Sequence, residues 1–420
     1  MASAANSFAT VELVLAAIPS GAPVRTRHFL FLQGLPGPFF RRLGAALREK
    51  GARVSRVNFN GGDLVDWPGE GSRAYRGIEA EWPRWLDEHV HDLGVTDIIV
   101  FGDAREMHCA ARAIADRRGL RFHAFEEGYL RPDHVTLERG GVNGQSSFPR
   151  SLHGLRMLAE RLEPAPDPIS VPNRFGPRAL QATRYALATM MARRFFPHYC
   201  SHRYWPASRE GLGWVRRTLR RGLERAASRR DMASLGDRPF FLMPLQIEGD
   251  SQLSHHSPFA SMEEAMRFVV TAFATAPAET GLLIKRHPLD PGVIDWRRAV
   301  SAVAAETGLS HRVRFVEQHD LLPLIRRARG VVTVNSTVGP LALAEGTPVL
   351  ALGDAVYRLP GITADCSLDA FWQRPTSVDA DAFALLCRVL RAKCLVNGSF
   401  HSKAGLARLI ECSVARLMPA

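Results

Sequence analysis

Residues 28–63 read HFLFLQGLPGPFFRRLGAALREKGARVSRVNFNGGD. The apolar run at 28–32 predicts a strand, and the segment 39–50 has the apolar spacing of a helix. A second predicted strand follows at 53–59. Short apolar strands that alternate with helices are typical of a parallel sheet covered on both faces.

The same alternation recurs in two separate parts of the chain. In the first part, further strands are predicted at 97–101 and 121–125, with helices at 73–93 and 105–118. In the second part, strands are predicted at 239–245, 281–285, 313–316, 330–334 and 348–351, again with helices between them. A chain of 420 residues is long enough for two domains.

We therefore predict an α/β fold of two Rossmann-like, parallel-sheet domains with an Arg-rich helical insertion between them. The predicted parts are an N-terminal extension (1–27), a first Rossmann-like domain (28–150), the basic insertion (151–235), a second Rossmann-like domain (236–365) and C-terminal helices (366–420). Ligands of open α/β sheets bind at the carboxyl ends of the strands, so a cleft between the two domains is the expected site.

Composition excludes several classes of protein. With 46% hydrophobic residues and 34 Gly, the chain is expected to fold rather than remain disordered. The six Cys form no CxxC pair, so we expect neither a disulfide scaffold nor a zinc ribbon, and a reducing cytoplasm fits best. The apolar stretch at 11–18 contains Glu12, and no run reaches the roughly 18 apolar residues of a membrane span.

Positive charge is concentrated in the insertion. Residues 151–235 contain 16 Arg, no Lys and six acidic residues, a net charge of +10 out of +12 for the whole chain. The segment 209–230 predicts a basic amphipathic helix whose apolar stripe is formed by Leu212, Val215, Leu219 and Leu223. Such a helix can lie in the headgroup region of an anionic bilayer, or its stripe can pack on its own protein. Nucleic acid is disfavoured, since the segment has few and irregular aromatic residues and no recognised motif.

Two adjacent carboxylates, Glu126 and Glu127, close a predicted strand before Gly128. Adjacent side chains leave a strand in opposite directions. One carboxylate can then face the cleft as a base or nucleophile while hydrogen bonds or a cation such as Arg131 hold the other. The alternative for the pair taken alone is a solvated acidic turn.

Candidate phosphate-binding groups follow two strands of the second domain. Lys285, Arg286 and His287 end one strand, and Pro288 favours an extended conformation at His287. Asn335, Ser336 and Thr337 lie between a strand and a helix, where amides and hydroxyls can receive an anion or simply cap the helix. Glu345, after that helix, is placed to accept hydrogen bonds from ribose hydroxyls. A surface turn is the alternative for the first group.

Weaker candidates follow other strands. The loop that begins with Gln33 and Gly34 matches neither the dinucleotide fingerprint nor the phosphate-binding loop, and we interpret it as a cleft wall. Four further side chains are candidates to bind hydroxyl groups of the donor or acceptor, although a turn-forming role is equally consistent with their positions. These are Asn60, Asp63, Asp103 and Arg105.

Ordered motifs over most of the chain resemble the KpsS/LipB type of capsule polysaccharide protein. They are FLQGLPGPFF at 31–40, NFNGGD at 58–63, FGDAREMH at 101–108, FEEGYLRPDHVTLERGGVNGQS at 125–146, PLQIEGDSQLSHHSPF at 244–259, KRHPLDPG at 285–292 and VNSTVGPLALAEGTPVLALG at 334–353. Arg131, Gln246, Asp250 and Ser251 lie within these motifs and join the predicted donor and acceptor cleft. The sequence departs from the family pattern at His134, where a Trp is expected.

The resemblance implies a GT-B-like fold and a retaining glycosyl transfer. The expected reaction moves β-Kdo from CMP-β-Kdo to phosphatidylglycerol or its lyso form, which starts the linker of a capsular polysaccharide. Similarity to bacterial sialyltransferases implies that Glu127 is the catalytic carboxylate and that His287, Ser336 and Thr337 contact the CMP phosphate. No metal or other cofactor is expected.

The resemblance also implies where the protein works and with what. It predicts a peripheral protein at the inner face of the cytoplasmic membrane, with an anionic phospholipid as acceptor and other capsule biosynthesis and export proteins as further candidate partners. One alternative is a non-catalytic adaptor that binds capsule lipid and recruits the export machinery. Another is an RNA-binding protein that uses the Arg-rich insertion.

Overall fold

The computed structural model describes residues 26–163, 165–171, 175–201, 203–250, 253 and 255–419. It has two β-sheets, each accompanied by helices, in the two stretches where the sequence predicts them. Of the predicted N-terminal extension 1–27, residues 1–25 lie outside the described part. None of the described helices is long and apolar enough to cross a bilayer.

The first sheet has seven strands in the order β12-β6-β5-β4-β1-β2-β3. They are β1 (His28–Phe31), β2 (Arg53–Asn58), β3 (Ser72–Ala74), β4 (Asp97–Phe101), β5 (Arg121–Glu127), β6 (His134–Arg139) and β12 (Leu395–Asn397). The strands β1 to β5 pair in parallel, whereas β6 is antiparallel to both β5 and β12.

The second sheet has five strands, all parallel, in the order β11-β10-β7-β8-β9. They are β7 (Phe240–Pro244), β8 (Gly281–Lys285), β9 (Val313–Val316), β10 (Gly330–Thr333) and β11 (Val349–Ala351). In each sheet the first strand of the domain is central and the chain then fills both sides, which is the Rossmann-type order. The predicted fold of two Rossmann-like sheets is therefore confirmed.

Helices connect the strands and cover the sheets. In the first domain they are α1 (Phe39–Glu49), α2 (Gly61–Asp66), α3 (Trp82–Leu93) and α4 (Glu106–Arg118). In the second part of the chain they are α8 (Met262–Ala272), α9 (Trp296–Glu306), α10 (Leu321–Arg327), α11 (Val338–Ala344), α12 (Leu368–Gln373), α13 (Ala380–Lys393) and α14 (Lys403–Leu417).

The insertion at 151–235, called the arm below, holds α5 (Leu152–Arg161), α6 (Phe175–Met191) and α7 (Ala207–Leu235). Its two long helices are attached to different domains. The helix α6 packs on α2 of the first domain, whereas α7 packs beside β9 of the second. The ion pair between Asp231 of α7 and Arg297 of α9, at 2.6 Å, is one of the contacts that fix α7.

The C-terminal segment returns to the first domain. Predicted as helical throughout, residues 366–420 also contain the strand β12, which pairs with β6. The last helix, α14, packs on α1, and its Leu406, Leu409 and Val414 belong to the same hydrophobic core as Phe29 and Phe39. The prediction missed β12 because this short segment follows the helix α13 almost directly and takes its conformation from pairing with β6.

Two other differences concern the first domain. The predicted helix at 73–93 begins only at Trp82, because residues 72–74 pair with β2 as an edge strand and Pro83 occupies the first turn of the helix. The strand β6, which the sequence does not predict, forms a hairpin with β5. That hairpin fixes the direction of the chain immediately after Glu127.

Candidate active site

A cavity of about 550 Å³ lies between the two sheets. Its walls include residues that follow the carboxyl ends of strands from both domains. Phe101 and Glu127 end strands of the first domain, while Gln246, His287 and Asn335 follow strands of the second. This is the location that the parallel topology predicts.

Both carboxylates of the acidic turn line the cavity. The sequence allows one of them to face the cleft while hydrogen bonds or a cation hold the other, because neighbouring side chains alternate along a strand. In the structure both carboxylates line the cavity and both are held by neighbouring groups. Glu127 is the last residue of β5. Its backbone N–H donates a 3.0 Å hydrogen bond to one carboxylate oxygen of Glu126. The carboxylate of Glu126 is thereby held beside the end of the strand.

The turn after β5 requires a glycine. A Cβ atom at Gly128 would lie 2.1 Å from the backbone oxygen of His134, which begins the partner strand β6. The chain can therefore reverse immediately after the carboxylates only because position 128 has no side chain. His134, the departure from the family pattern, is not among the residues that line the cavity.

The two carboxylates have very different proton affinities. Burial raises the pKa of Glu126 to about 7, and the nearby negative charges of Asp250 and Glu127 act in the same direction. Burial also favours a higher pKa at Glu127, but the side chains of His401, Arg131 and Arg178 outweigh it and lower that pKa to about 2. Near neutral pH Glu127 is therefore charged, while Glu126 can gain or lose a proton.

The carboxylate of Glu127 is held by groups from distant parts of the chain. Nη1 of Arg178, in the arm helix α6, lies 3.3 Å from Oε1 of Glu127. Nε2 of His401, just before α14, lies 3.8 Å from the same oxygen, and its side chain is 6% exposed. Arg131, the cation that the sequence suggests as a partner of the carboxylates, also lines the cavity, and its charge helps to lower the pKa of Glu127.

His287 lines the cavity from the second domain. Its Nδ1 accepts a 3.0 Å hydrogen bond from the backbone N–H of Leu289, which leaves Nε2 to carry the proton of the neutral ring. Burial and the neighbouring charges of Arg131 and Lys285 lower the pKa of His287 to about 4. Near neutral pH His287 is thus a neutral N–H donor rather than a cation.

The polar turn after β10 faces the same cavity through Asn335, Ser336 and Thr337. Asn335 and Gln246 are paired, since the Gln246 amide donates to Asn335 Oδ1 at 2.9 Å and accepts from the Asn335 backbone N–H. The Ser336 hydroxyl accepts from the Val338 N–H at 3.2 Å, as its alternative role in capping predicts. The buried Tyr357 hydroxyl donates to the Ser336 carbonyl at 2.6 Å.

Three of the predicted phosphate-binding and ribose-binding residues, Lys285, Arg286 and Glu345, are absent from the cavity lining. The Lys285 ammonium donates to the Arg286 carbonyl at 3.3 Å, and burial lowers its pKa to about 8. Arg286 pairs with Glu224 of α7, with Nη1 and Oε1 2.9 Å apart, and so attaches the arm to the second domain. Glu345 pairs with Arg326 at 2.6 Å. It follows the carboxyl end of the seven-residue helix α11, about 10 Å from the strand end where that helix begins.

Several predicted cleft residues of the first domain instead form a buried hydrogen-bond network under α6. The Tyr185 hydroxyl of α6 receives hydrogen bonds from Gln33 at 3.0 Å and Asn60 at 2.8 Å, and donates to Asp63 at 3.1 Å. Asp63 is also paired with the buried Arg56 at 2.8 Å. These residues connect the arm to the first domain, and the cavity lining does not include them.

Some of the remaining predicted cleft residues line the cavity, and others do not. Arg105 lines the cavity, and its Nη1 donates to the Gln33 amide oxygen at 3.0 Å and to the Gly34 carbonyl at 3.4 Å. Asp103 accepts a hydrogen bond from the Val142 backbone at 2.8 Å and is not part of the lining. Asp250 lines the cavity, whereas Ser251 lies outside the described residues.

Sequence reasoning missed contributions from outside the two domains. Arg178 and Tyr204 of the arm line the cavity, and Tyr204 packs so closely on Gly249 that a Cβ atom there would lie 2.1 Å from the Tyr204 Cβ. The sequence predicts either a bilayer contact for the arm or packing of its apolar stripe on the protein, and no contribution to the cavity. No local pattern marks these residues, because only the packing of α6 and the placement of α7 bring them to the cavity.

Two α/β domains of the GT-B type thus enclose a cavity with a carboxylate pair on one side and a histidine with a polar turn on the other. Among the described residues, no three His, Cys, Asp or Glu side chains are grouped so that they could hold a metal ion. The chain belongs to the capsule polysaccharide biosynthesis protein family, whose model matches residues 96–401. The resemblance to the KpsS/LipB type is therefore confirmed.

Individual relatives are similar over nearly the whole chain. The capsule polysaccharide export protein KpsS of Escherichia coli is 34% identical over 381 residues, which cover 89% of this chain and 97% of that protein. The capsule polysaccharide modification protein LipB of Neisseria meningitidis serogroup A is 35% identical over 389 residues, with 90% and 92% covered. Among solved structures, KpsC of Thermosulfurimonas dismutans, a beta Kdo 2,7 transferase, is 12% identical with a TM-score of 0.43, and the match covers 93% of this chain and 100% of that one.

Proposed function

We propose that this protein is a glycosyltransferase that moves β-Kdo from CMP-β-Kdo to phosphatidylglycerol or lyso-phosphatidylglycerol. The product would start the poly-Kdo linker of a capsular glycolipid at the inner face of the cytoplasmic membrane. The observation that carries the proposal is the pair of carboxylates, with pKa values of about 7 and about 2, in one cavity with His287 and the Ser336 turn. Membership of the capsule family supports the biological setting.

The two carboxylates fit the two tasks of a retaining transfer. Breaking the bond between the keto-sugar carbon and the phosphate oxygen develops positive charge on the sugar. Glu127, charged near neutral pH, would attack that carbon as CMP leaves with the bonding electrons. The lipid hydroxyl would then displace Glu127, and its proton would pass to Glu126, whose pKa of about 7 suits a general base.

Three arginines fit the negative charges of the proposed donor. CMP-Kdo carries one charge on its phosphodiester and one on the sugar carboxylate. Arg105, Arg131 and Arg178 line the cavity, and planar guanidinium groups bind carboxylate and phosphate oxygens by paired hydrogen bonds. His287 would add a neutral N–H donor, and a bound phosphate would raise the pKa of its ring. Ser336 and Thr337 would supply hydroxyls on the same side.

The proposal is tested by incubating the full chain with CMP-β-Kdo and a fluorescent phosphatidylglycerol, and measuring the mass of the lipid. We expect a product heavier by one Kdo residue. Glu127→Gln should reduce transfer to less than a tenth and leave CMP affinity nearly unchanged, because the substitution removes the charge beside the sugar and not the phosphate contacts. Glu49→Gln, at the exposed end of α1, is the matched control.

A Glu127→Gln variant that keeps more than a tenth of the transfer activity would refute the assigned role. The second candidate function is a non-catalytic lipid-binding adaptor for capsule export. The Escherichia coli relative is named a capsule polysaccharide export protein, and the arm carries exposed apolar residues; both observations favour the adaptor. The adaptor predicts neither a heavier lipid nor release of CMP, so the same incubation separates the two functions.

A further inference from the structure

The longest arm helix, α7, presents an apolar stripe to solvent. Leu212, Val215, Leu219 and Leu223 recur at spacings of three and four residues, which places them on one face of the helix. Their side chains are exposed by 70%, 57%, 80% and 74%, respectively. Within the described part of the chain, the stripe is therefore not packed on its own protein, in contrast to one of the two alternatives that the sequence left open.

The opposite face of α7 is fixed to the second domain. A Cβ atom at Gly213 would lie 2.5 Å from the Pro291 carbonyl oxygen, so the helix backbone contacts that loop directly. The Ser228 hydroxyl donates to Glu317 at 2.9 Å, and Glu224 pairs with Arg286. These contacts lie along most of the helix, so the solvent-facing direction of the leucines is determined by the fold.

Exposed arginines lie beside this apolar stripe. Arg216 and Arg220 each follow a residue of the stripe and border it, whereas Arg221 and Arg225, also exposed, lie farther around the helix. Arg217 is different, because it donates to the Asp290 carbonyl and stacks on Trp214. An apolar row bordered by guanidinium groups is complementary to a bilayer with anionic headgroups, in which acyl chains accept the leucines and phosphates accept the arginines.

The other long helix, α6, carries a similar row. Leu180, Leu187, Met190 and Met191 are exposed by 72%, 50%, 66% and 83%, respectively. The opposite side of α6 is buried through Tyr185 on Gly62. Exposed Arg193 and Arg194 follow directly after this helix. The two long helices therefore have the same construction, with one face on a domain and an apolar face in solvent.

We propose that these two exposed apolar rows, together with their bordering arginines, form a docking surface for an anionic phospholipid bilayer. The cavity wall includes Arg178, near the start of α6, and Tyr204, just before α7, so the proposed docking surface adjoins the cavity. A docked bilayer would thus bring lipid headgroups next to the carboxylate pair. The proposal deepens the proposed function, but lipid binding itself needs neither the donor nor the carboxylates.

The test is vesicle flotation of the full chain without donor. The vesicles consist of phosphatidylcholine with or without roughly 30% phosphatidylglycerol, which supplies the anionic headgroups. We expect binding that depends on phosphatidylglycerol and weakens as salt rises. Leu212→Gln/Leu219→Gln/Leu223→Gln should weaken it about tenfold or more by removing the inserted side chains. Arg216→Gln/Arg220→Gln should also weaken it about tenfold or more, since each arginine near an anionic surface contributes about 1 kcal/mol.

Arg41→Gln/Arg42→Gln, a double substitution on the exposed side of α1, is the control for loss of two charges. It should bind vesicles as the unsubstituted chain does. Circular dichroism and thermal unfolding of each variant would establish that the exposed substitutions leave the fold intact. Loss of vesicle binding by the folded leucine and arginine variants would support the surface independently of the catalytic proposal, because flotation requires no glycosyl transfer.

Three results would overturn the proposal. One is absence of phosphatidylglycerol-dependent flotation, or flotation that the leucine substitutions leave unchanged. Another is a salt-sensitive complex with RNA that displaces the vesicles and does not depend on the leucines, which would assign the arginines to nucleic acid. The third is a dimer in light scattering that the leucine substitutions dissociate while vesicle binding persists, which would assign the stripe to a second copy of the chain.

Discussion

Glu126 and Glu127 are neighbours in sequence, yet their surroundings separate their pKa values by several units. Glu126 has few positive partners, so burial dominates and its neutral form is favoured. Glu127 is beside Arg178 and near His401, so its charged form is favoured despite burial. Pairs of this kind, in which environment assigns opposite protonation states, are characteristic of acid–base catalysis.

Glu126 should make the stability of the protein depend on pH. Its folded pKa of about 7 exceeds the ordinary value of 4.5, so ionising it opposes folding. This cost to stability is absent when the pH is below both pKa values. It grows as the pH rises from 4.5 to about 7, and it is constant at higher pH. Glu126→Gln should therefore raise the free energy of unfolding relative to the unsubstituted chain, by about 1 to 3 kcal/mol at pH 8 after allowance for partial exposure.

Urea unfolding at pH 4, 6 and 8 measures this difference. Glu49→Gln, at an exposed position, should show no comparable change with pH. A Glu126→Gln difference that stays constant across the three pH values would mean that the Glu126 carboxyl titrates as an ordinary acid. Transfer by Glu126→Gln should at the same time lose its dependence on pH near 7.

His401 is predicted to be a positioning residue for Glu127. Its replacement by Ala removes an interaction that lowers the pKa of Glu127. In a Glu126→Gln background, which lacks the pH dependence near 7, the acidic limb of the transfer rate should therefore move to higher pH, with kcat reduced more than KM is changed. His401→Gln, which keeps a polar N–H group near Oε1 of Glu127, should restore part of the profile. His311→Ala is the exposed control.

Loss of activity in His401→Ala with an unshifted pH profile would contradict a positioning role. It would indicate instead that His401 only supports the packing of the C-terminal segment. The rate should be measured with donor in excess, so that a weaker affinity does not imitate a shifted profile.

The site residues that directly follow strands could be predicted from the sequence. The residues that the arm and the C-terminal segment place beside Glu127 could not. Glu126, Glu127, His287 and Ser336 share the cavity because parallel strands end on one edge of each sheet. Arg178 and His401 reach Glu127 only through the packing of the arm and of the C-terminal segment, and no spacing in the sequence contains that information. Their catalytic roles, like those of the predicted site residues, remain predictions.

At the scale of the elements, the motif NFNGGD serves to hold the helix α6. A Cβ atom at Gly61 would lie 2.2 Å from the Ala188 carbonyl oxygen, and one at Gly62 would lie 2.5 Å from the Tyr185 ring. The two glycines therefore let α6 approach α2 at backbone distance. The sequence leaves this motif as either a ligand for hydroxyl groups or a turn, and neither interpretation includes the close packing of helices that a glycine pair also permits.

Gly61→Ala should destabilise the protein and reduce transfer, because the added methyl group pushes α6, and with it Arg178, away from the first domain. We expect a loss of about 1 to 3 kcal/mol in the free energy of unfolding, measured in urea. Gly222→Ala on α7 is the matched control. Nothing lies within 4 Å of its Cβ position, so helix propensity should make it neutral or stabilising by up to about 1 kcal/mol.

Equal stabilities of Gly61→Ala and the unsubstituted chain would show that α6 can shift without cost. Transfer activity that survives a measured destabilisation would show that Arg178 need not be held by this contact. Either result would separate the anchoring of the arm from the chemistry of the cavity.

All strands of the second sheet and the central strands of the first could be predicted, whereas β3, β6 and β12 of the first sheet could not. Apolar runs such as 97–101 and 281–285 are buried on both faces, so their composition alone indicates a strand. The strands β3 and β12 are three residues long and depend on a partner strand for their conformation. The hairpin strand β6 likewise owes its pairing to the turn at Gly128.

At the scale of the whole molecule, the arm joins the two domains and also forms part of the cavity between them. α6 is fixed to the first domain through the Tyr185 network, and α7 to the second through Glu224 and Ser228. Side chains from the arm then complete the cavity wall. An arm that binds both domains and a bilayer would link access of lipid to the geometry of the site.

Release of CMP from CMP-β-Kdo, measured with and without phosphatidylglycerol vesicles, is the decisive measurement. We expect CMP release that increases when the vesicles are added, together with a lipid heavier by one Kdo residue. A folded, full-length chain that releases no CMP under either condition would contradict the claim that this cavity carries out glycosyl transfer.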